Sequence, residues 1–164
     1  MMRVEEDIGR MLRERDLTIS TAESCTGGLI GHLITNVPGS SLYFSGGVIV
    51  YSNRSKVELL HVSRETIEKH GAVSGRTARE MAAGVKTLFD SGLGLAVTGI
   101  AGPEGGSREK PVGTVFIGVA MERGIFSERY MFRGTREQIK GKTAETALTW
   151  VKRILHGDSF VPGL

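Results

Sequence analysis

Three segments of this sequence carry residue types that could do chemistry. The first is Thr21-Ala22-Glu23-Ser24-Cys25-Thr26-Gly27-Gly28, which joins a short β-branched run to a helical one. A serine at such a turn meets free backbone N–H groups and the positive end of a helix, and both favour developing negative charge. Gly27 and Gly28 would let a substrate come close to the backbone. Ser24 or Thr26 equally suits a plain helix cap. The second segment is Tyr51-Ser52-Asn53-Arg54-Ser55-Lys56. Lys56 falls in the first turn of a helix, where the dipole opposes a cation. Dipole and desolvation together would lower its pKa toward that of a general base. A neutral amine near Ser24 would take the hydroxyl proton, as in serine–lysine hydrolases. The commoner role of a single lysine is a solvated one. The third segment is Thr98-Gly99-Ile100-Ala101-Gly102-Pro103. No Gly-Lys-Ser/Thr follows it and no helix opens directly after it, so it is neither a Walker A loop nor a dinucleotide fingerprint. Its successive N–H groups suit a nest for a phosphate or carboxylate, or merely a flexible connection.

Other chemistries find little support. His32, His61, His70 and His156 are scattered without ligand spacing and without a cysteine pair, so no metal site is expected. Cys25 is the single cysteine, which rules out an intramolecular disulfide. No histidine is placed by sequence to activate it, and a buried inert thiol is expected. The net charge is +3, and basic and acidic residues are mixed along the chain. No basic run alternates with aromatics, which disfavours a nucleic-acid groove. The charged N-terminal stretch has no signal-peptide core, and no apolar run approaches bilayer length. A cytoplasmic protein without membrane contact is expected.

Elements that could position these segments are legible in the pattern. The 164 residues are one domain's worth, and the 23 glycines cluster between apolar runs, as tight turns require. Val4, Ile8, Met11 and Leu12 recur at helical spacing over residues 3–15. Residues 17–22 read as a strand, and Thr26-Gly27-Gly28 opens a helix to about Thr35. A second strand spans residues 43–51, followed by a helix capped at Ser52-Asn53 and a short helix from Ser63 to His70-Gly71. Ser74 caps a helix whose apolar face is Ala78, Met81, Ala82, Val85, Leu88 and Phe89. Residues 93–97 form a buried strand. Residues 112–121 and 125–132 form a hairpin turned at Arg123-Gly124. Thr135 and Gln138 make a capping box for a last helix with Ile139, Ala147, Trp150, Val151, Ile154 and Leu155 inward. Early alternation and a late hairpin predict an α/β fold, a three-layer α/β/α sandwich with a mixed sheet. One domain is expected over residues 1–157, with a flexible tail at 158–164.

Taken together, the runs "TAESCTGGLIGHLIT", "FSGGVIVYSNRSK", "GAVS" and "VTGIAGPEGGSREKPVGTVFIGVA" resemble the CinA C-terminal domain family. These are the nicotinamide-nucleotide amidases (NMN deamidases), also known as competence- or damage-inducible proteins. The resemblance runs from the first helix to about Trp150. It implies hydrolysis of the carboxamide of nicotinamide mononucleotide to nicotinate mononucleotide and ammonia. Ser24 and Lys56 match the family's serine–lysine pair, Tyr51 its tyrosine, and Thr98, Gly99, Ile100, Ala101 and Gly102 its substrate loop. The family's usual N-terminal partner domain lies outside this sequence, which implies the stand-alone form. Backbone N–H groups of Thr26, Gly27 and Gly28 are then expected to hold the oxyanion. Arg136, just inside the last helix, is expected to bind the substrate phosphate; a solvated arginine is the plain alternative. No metal or organic cofactor is required, and a homo-oligomer is expected. Two other functions fit the same residues: a non-catalytic nucleotide- or protein-binding module, and an amidase for another small carboxamide.

Overall fold

A computed structural model describes residues 3–157 of the chain; the expected tail at 158–164 lies outside the described residues. The elements run α1 (Val4–Glu14), β1 (Ile19–Glu23), α2 (Leu29–Thr35), β2 (Phe44–Ile49), α3 (Asn53–Leu60), α4 (Arg64–His70), α5 (Gly75–Leu88), β3 (Leu93–Gly99), β4 (Thr114–Met121), β5 (Gly124–Met131) and α6 (Arg136–His156). A single 3-10 turn, Ser40–Leu42, precedes β2. The five strands form one sheet in the order β2-β1-β3-β4-β5. β1 is parallel to both its neighbours, while β3–β4 and β4–β5 are antiparallel. The sheet is therefore mixed, with helices on both faces, as the alternation of elements predicts.

Period-2 patterning on the central strands explains the two layers. Leu93, Leu95 and Val97 of β3 and Val115, Ile117 and Val119 of β4 face one side, where α1, α2 and α6 close a large apolar cluster. Ala96 and Ala120 face the other, where Met81, Ala82 and Val85 of α5 join Val50, Leu60 and Val62. Small residues on that second face let α5 lie close: Gly94 and Gly118 abut backbone atoms of the Ala82 and Ala78 turns.

Two expectations need correction. Leu88 is exposed, and Phe89 packs against the α5 cluster instead. Leu88 is the last helical residue, and Phe89 is the C-cap just past it, so helical spacing does not set the direction of Phe89. The hairpin turns at Glu122 and Arg123, because Met121 pairs with Gly124 as the first residue of β5.

One core contact makes a prediction about stability. Tyr43 is buried, and its hydroxyl has no hydrogen-bond partner among the described residues. It presses on Gly9 of α1, where an added Cβ would lie 2.5 Å from the phenol oxygen. A buried hydroxyl without a partner costs more than it contributes. Tyr43→Phe is expected to leave unfolding free energy unchanged or raise it by about 1 kcal/mol. Urea denaturation checks this; a loss of similar size would reveal a partner for the hydroxyl.

Candidate active site

The carboxyl ends of β1, β2 and β3 lie level. Two backbone bonds extend the ladders past the strands: Ser24 N–H donates to Val97 O at 3.1 Å, and Val50 N–H donates to Glu23 O at 2.8 Å. Ser24, Tyr51 and Thr98 thereby arrive at one edge of the sheet. β1 connects on one side to β2, and β3 continues on the other to β4. A crevice opens where such connections part. Here a cleft of about 220 Å³ is lined by Ser24, Cys25, Tyr51, Asn53, Lys56, Ala72, Val73, Thr98, Gly99, Ala101 and Arg136.

Ser52 caps α3 by accepting from Ser55 N–H, which fixes the first turn and hence the start of the Lys56 side chain. Lys56 is only 2% exposed. Its Nζ lies 3.1 Å from Ser24 Oγ, 2.8 Å from Val50 O and 3.4 Å from Tyr51 O. None of its hydrogen-bond partners among the described residues is a carboxylate. Burial lowers its pKa below the ordinary lysine value. Three oxygens surround Nζ, which donates to Ser24 Oγ as well as to the two carbonyls; in the neutral form the carbonyls would take its two N–H groups and leave the lone pair for the Ser24 hydroxyl.

The turn after Ser24 differs from the sequence-based expectation. Glu23 is buried, and its carboxylate accepts four bonds: from Thr26 Oγ1 at 2.6 Å, Gly28 N–H at 3.1 Å, Ile30 N–H at 3.0 Å and Gly31 N–H at 2.8 Å. This side chain fills the N-terminus of α2 that the sequence offered to a ligand. Gly27 N–H turns back to Ser24 O. Gly27 and Gly28 have φ of +62° and +102°, so glycine is needed here for the turn itself. The N–H groups of Gly27 and Gly28 are thus spoken for, and Thr26, Gly27 and Gly28 are absent from the cleft lining. Of the residues in this turn after Ser24, Cys25 is the one that lines the cleft. Glu23→Gln leaves an amide N–H₂ facing at least one of the four groups that donate to this carboxylate. We expect it to cost roughly 2–4 kcal/mol of stability, read by denaturant unfolding. A loss under about 1 kcal/mol would mean that α2 does not depend on this carboxylate.

The third segment is also divided. Thr98, Gly99 and Ala101 line the cleft. Ile100 does not: its N–H donates to Thr114 O and its carbonyl accepts from Gly113 N–H, so it supplies no nest. Thr98 Oγ1 donates to Ala72 O at 2.8 Å and holds the segment between α4 and α5 against the cleft. Gly102 turns its carbonyl to Arg136 Nη1 at 2.7 Å. Arg136 Nη2 donates to the Tyr51 hydroxyl at 2.8 Å. Tyr51 is 62% exposed at the rim, and its hydroxyl is bonded to Arg136 rather than to Ser24.

Cys25 is buried, and burial pushes its thiol up to about 12, which fits the inert role expected of it. Among the described residues no cluster of three or more His, Cys, Asp or Glu side chains could hold a metal ion. None of their helices is long and apolar enough to cross a membrane. Sequence reasoning missed Glu23, Asn53, Ala72 and Val73 as parts of the site. Glu23 had one available signal, an acidic residue ahead of a helix that lacks acids in its first turn.

Comparison with known proteins agrees with this architecture. A CinA-like protein of Endomicrobium trichonymphae is 52% identical over 147 residues, covering 90% of this chain and 34% of its own length. A Halothermothrix orenii protein described as competence-damage inducible is 50% identical over 151 residues, covering 92% and 37%. The chain thus spans little more than a third of these relatives. Among solved structures, the competence/damage inducible protein CihA of Agrobacterium tumefaciens superposes with a TM-score of 0.87 at 39% identity, covering 93% of this chain and 95% of that one. A CinA superfamily protein of Klebsiella pneumoniae gives 0.91 at 30% identity, covering 94% and 96%. The CinA C-terminal domain model matches residues 1–155, and the chain belongs to that family.

Proposed function

We propose that this chain hydrolyses the carboxamide of nicotinamide mononucleotide, giving nicotinate mononucleotide and ammonia. The observation that carries this reading is the buried Lys56 amine 3.1 Å from Ser24 Oγ, with two carbonyls orienting it. Lys56 takes the hydroxyl proton as Ser24 Oγ attacks the carboxamide carbon, which the pyridinium ring makes electrophilic. Negative charge collects on the amide oxygen, and the N–H of Cys25, which lines the cleft beside Ser24, is the donor assigned to it. A well-placed donor contributes roughly 3 kcal/mol there. Lys56 then gives its proton to the leaving nitrogen, and the C–N bond breaks to release ammonia. Water attacks the acyl-serine with Lys56 again as base, and the carboxylate product and Ser24 hydroxyl are regenerated.

Arg136, at the rim, is assigned to the substrate phosphate. Its guanidinium has donors beyond the two that hold Gly102 and Tyr51. Tyr51 frames the rim through the same guanidinium and fixes the amine through its carbonyl. The test is ammonia release from nicotinamide mononucleotide by purified protein, beside a panel of other small carboxamides. Release from a different carboxamide alone would replace the substrate and keep the chemistry. No release from any would make the site a binding module.

A further inference from the structure

Asn53 lines the same cleft as Ser24 and Lys56, and the hydrolytic steps leave it without a role. The fold gives it none either. Ser52, not Asn53, caps α3. Among the described residues the Asn53 side chain has no hydrogen-bond partner. The residue is exposed, so its amide keeps both donor and acceptor free for a molecule in the cleft. The other polar groups of the lining are engaged or cannot accept. Thr98 Oγ1 is bonded to Ala72 O, the Tyr51 hydroxyl is bonded to Arg136, and Arg136 is a donor only.

The position of Asn53 on α3 places it beside the base. It is the first residue of the helix and Lys56 the fourth. Residues three apart are neighbours on one helix face. Helical side chains lean toward the N-terminus, and Lys56 does so: its Nζ reaches Val50 O and Tyr51 O, which precede Asn53 in the chain. The amine therefore sits level with the turn from which Asn53 projects. Ser24 Oγ, 3.1 Å from that amine, is where a carboxamide is attacked. The oxygen of that carboxamide belongs to Cys25 N–H, on the turn after β1. Its nitrogen then faces α3, because Lys56 returns a proton to it. That nitrogen carries two N–H groups, and protonation needs its lone pair turned to Lys56.

We infer that Asn53 reads the amide nitrogen: its Oδ1 accepts one N–H of the substrate carboxamide and turns the nitrogen lone pair toward Lys56 as the tetrahedral intermediate collapses. The site is thereby selective for a primary amide over an ester of the same acid. The inference rests on the amidase reading for the identity of the reacting group. An ester oxygen in the same place has no N–H to give.

The test compares nicotinamide mononucleotide with the methyl ester of nicotinate mononucleotide on wild type, Asn53→Ala and Asn53→Leu. Both variants should lose about tenfold or more in kcat/KM for the amide and less than about twofold for the ester. The rising limb of the pH profile should stay where Lys56 puts it. Equal losses for amide and ester, or no loss for the amide, would overturn the inference while leaving the amidase reading intact. A displaced limb would overturn it too, because Asn53 would then act on Lys56 and not on the substrate. Calorimetry on the Ser24→Ala protein separates binding from turnover. Asn53→Ala in that background should weaken binding of the amide about tenfold and of the ester less than about twofold. A wild-type protein that releases no ammonia but shows this Asn53-dependent preference would remove the amidase reading and leave the contact standing. No such preference, with no ammonia released, would remove both.

Discussion

Ser24→Ala should abolish ammonia release from nicotinamide mononucleotide, by at least about 10³-fold in kcat, while the protein stays folded. The large effect follows from the role. An alanine offers no oxygen to form the acyl-enzyme, and the remaining groups only hold the substrate and its oxyanion. The small effect on folding follows from the contacts. Among the described residues Ser24 Oγ has one hydrogen bond, from Lys56 Nζ, and the Lys56 amine keeps Val50 O and Tyr51 O as partners. Loss of one such bond costs about 1 kcal/mol. The backbone of Ser24, which carries the bonds to Val97 and from Gly27, is untouched by the change. Single-turnover assays and denaturant unfolding read the two halves separately. Turnover within about tenfold of wild type would take Ser24 out of the nucleophile's role.

Lys56 carries the second large effect. Lys56→Met should lower kcat about as far as loss of the serine, and Lys56→Arg should not rescue it. Arginine stays protonated at any working pH, so it cannot accept the hydroxyl proton. It would also bury a guanidinium where the lysine finds only two carbonyls and a hydroxyl. Wild-type activity should rise with pH along a limb whose apparent pKa lies below the ordinary value of about 10.4. The direction comes from burial, which disfavours the charged amine. Stability should report the same group. Between the lowered pKa and the ordinary lysine value, the unfolded chain binds a proton that the folded chain does not. Wild-type stability therefore rises with pH across that window relative to Lys56→Met, by at most about 1.4 kcal/mol per pH unit. Below the window the amine is charged in both states and the burial cost is constant. Full activity in Lys56→Arg, or parallel stability curves for wild type and Lys56→Met, would mean that Lys56 is a fixed cation and that the base lies elsewhere.

The sequence by itself determined the local structure. Capping at Ser52, Ser74 and Thr135 depends on atoms three residues apart, and each of these caps forms as the spacing predicts. The two-layer core was legible because strand and helix periods decide which side chains share a face. Its error at Leu88 is local too, since spacing alone permits either member of a neighbouring pair at the end of a helix. The approach of Lys56 to Ser24 was open in the residues, because 32 positions separate them and only the parallel pairing of β1 with β2 folds α3 back over the turn. Tertiary structure alone decided what fills the N-terminus of α2. The pattern offered those N–H groups to a ligand, but the Glu23 side chain, at the end of β1, turns into them first. It likewise decided that Arg136 meets Tyr51 across 85 residues. Contacts of that kind depend on how α6 lies against the end of the sheet. Packing of whole layers sets that geometry, and no spacing along the chain encodes it.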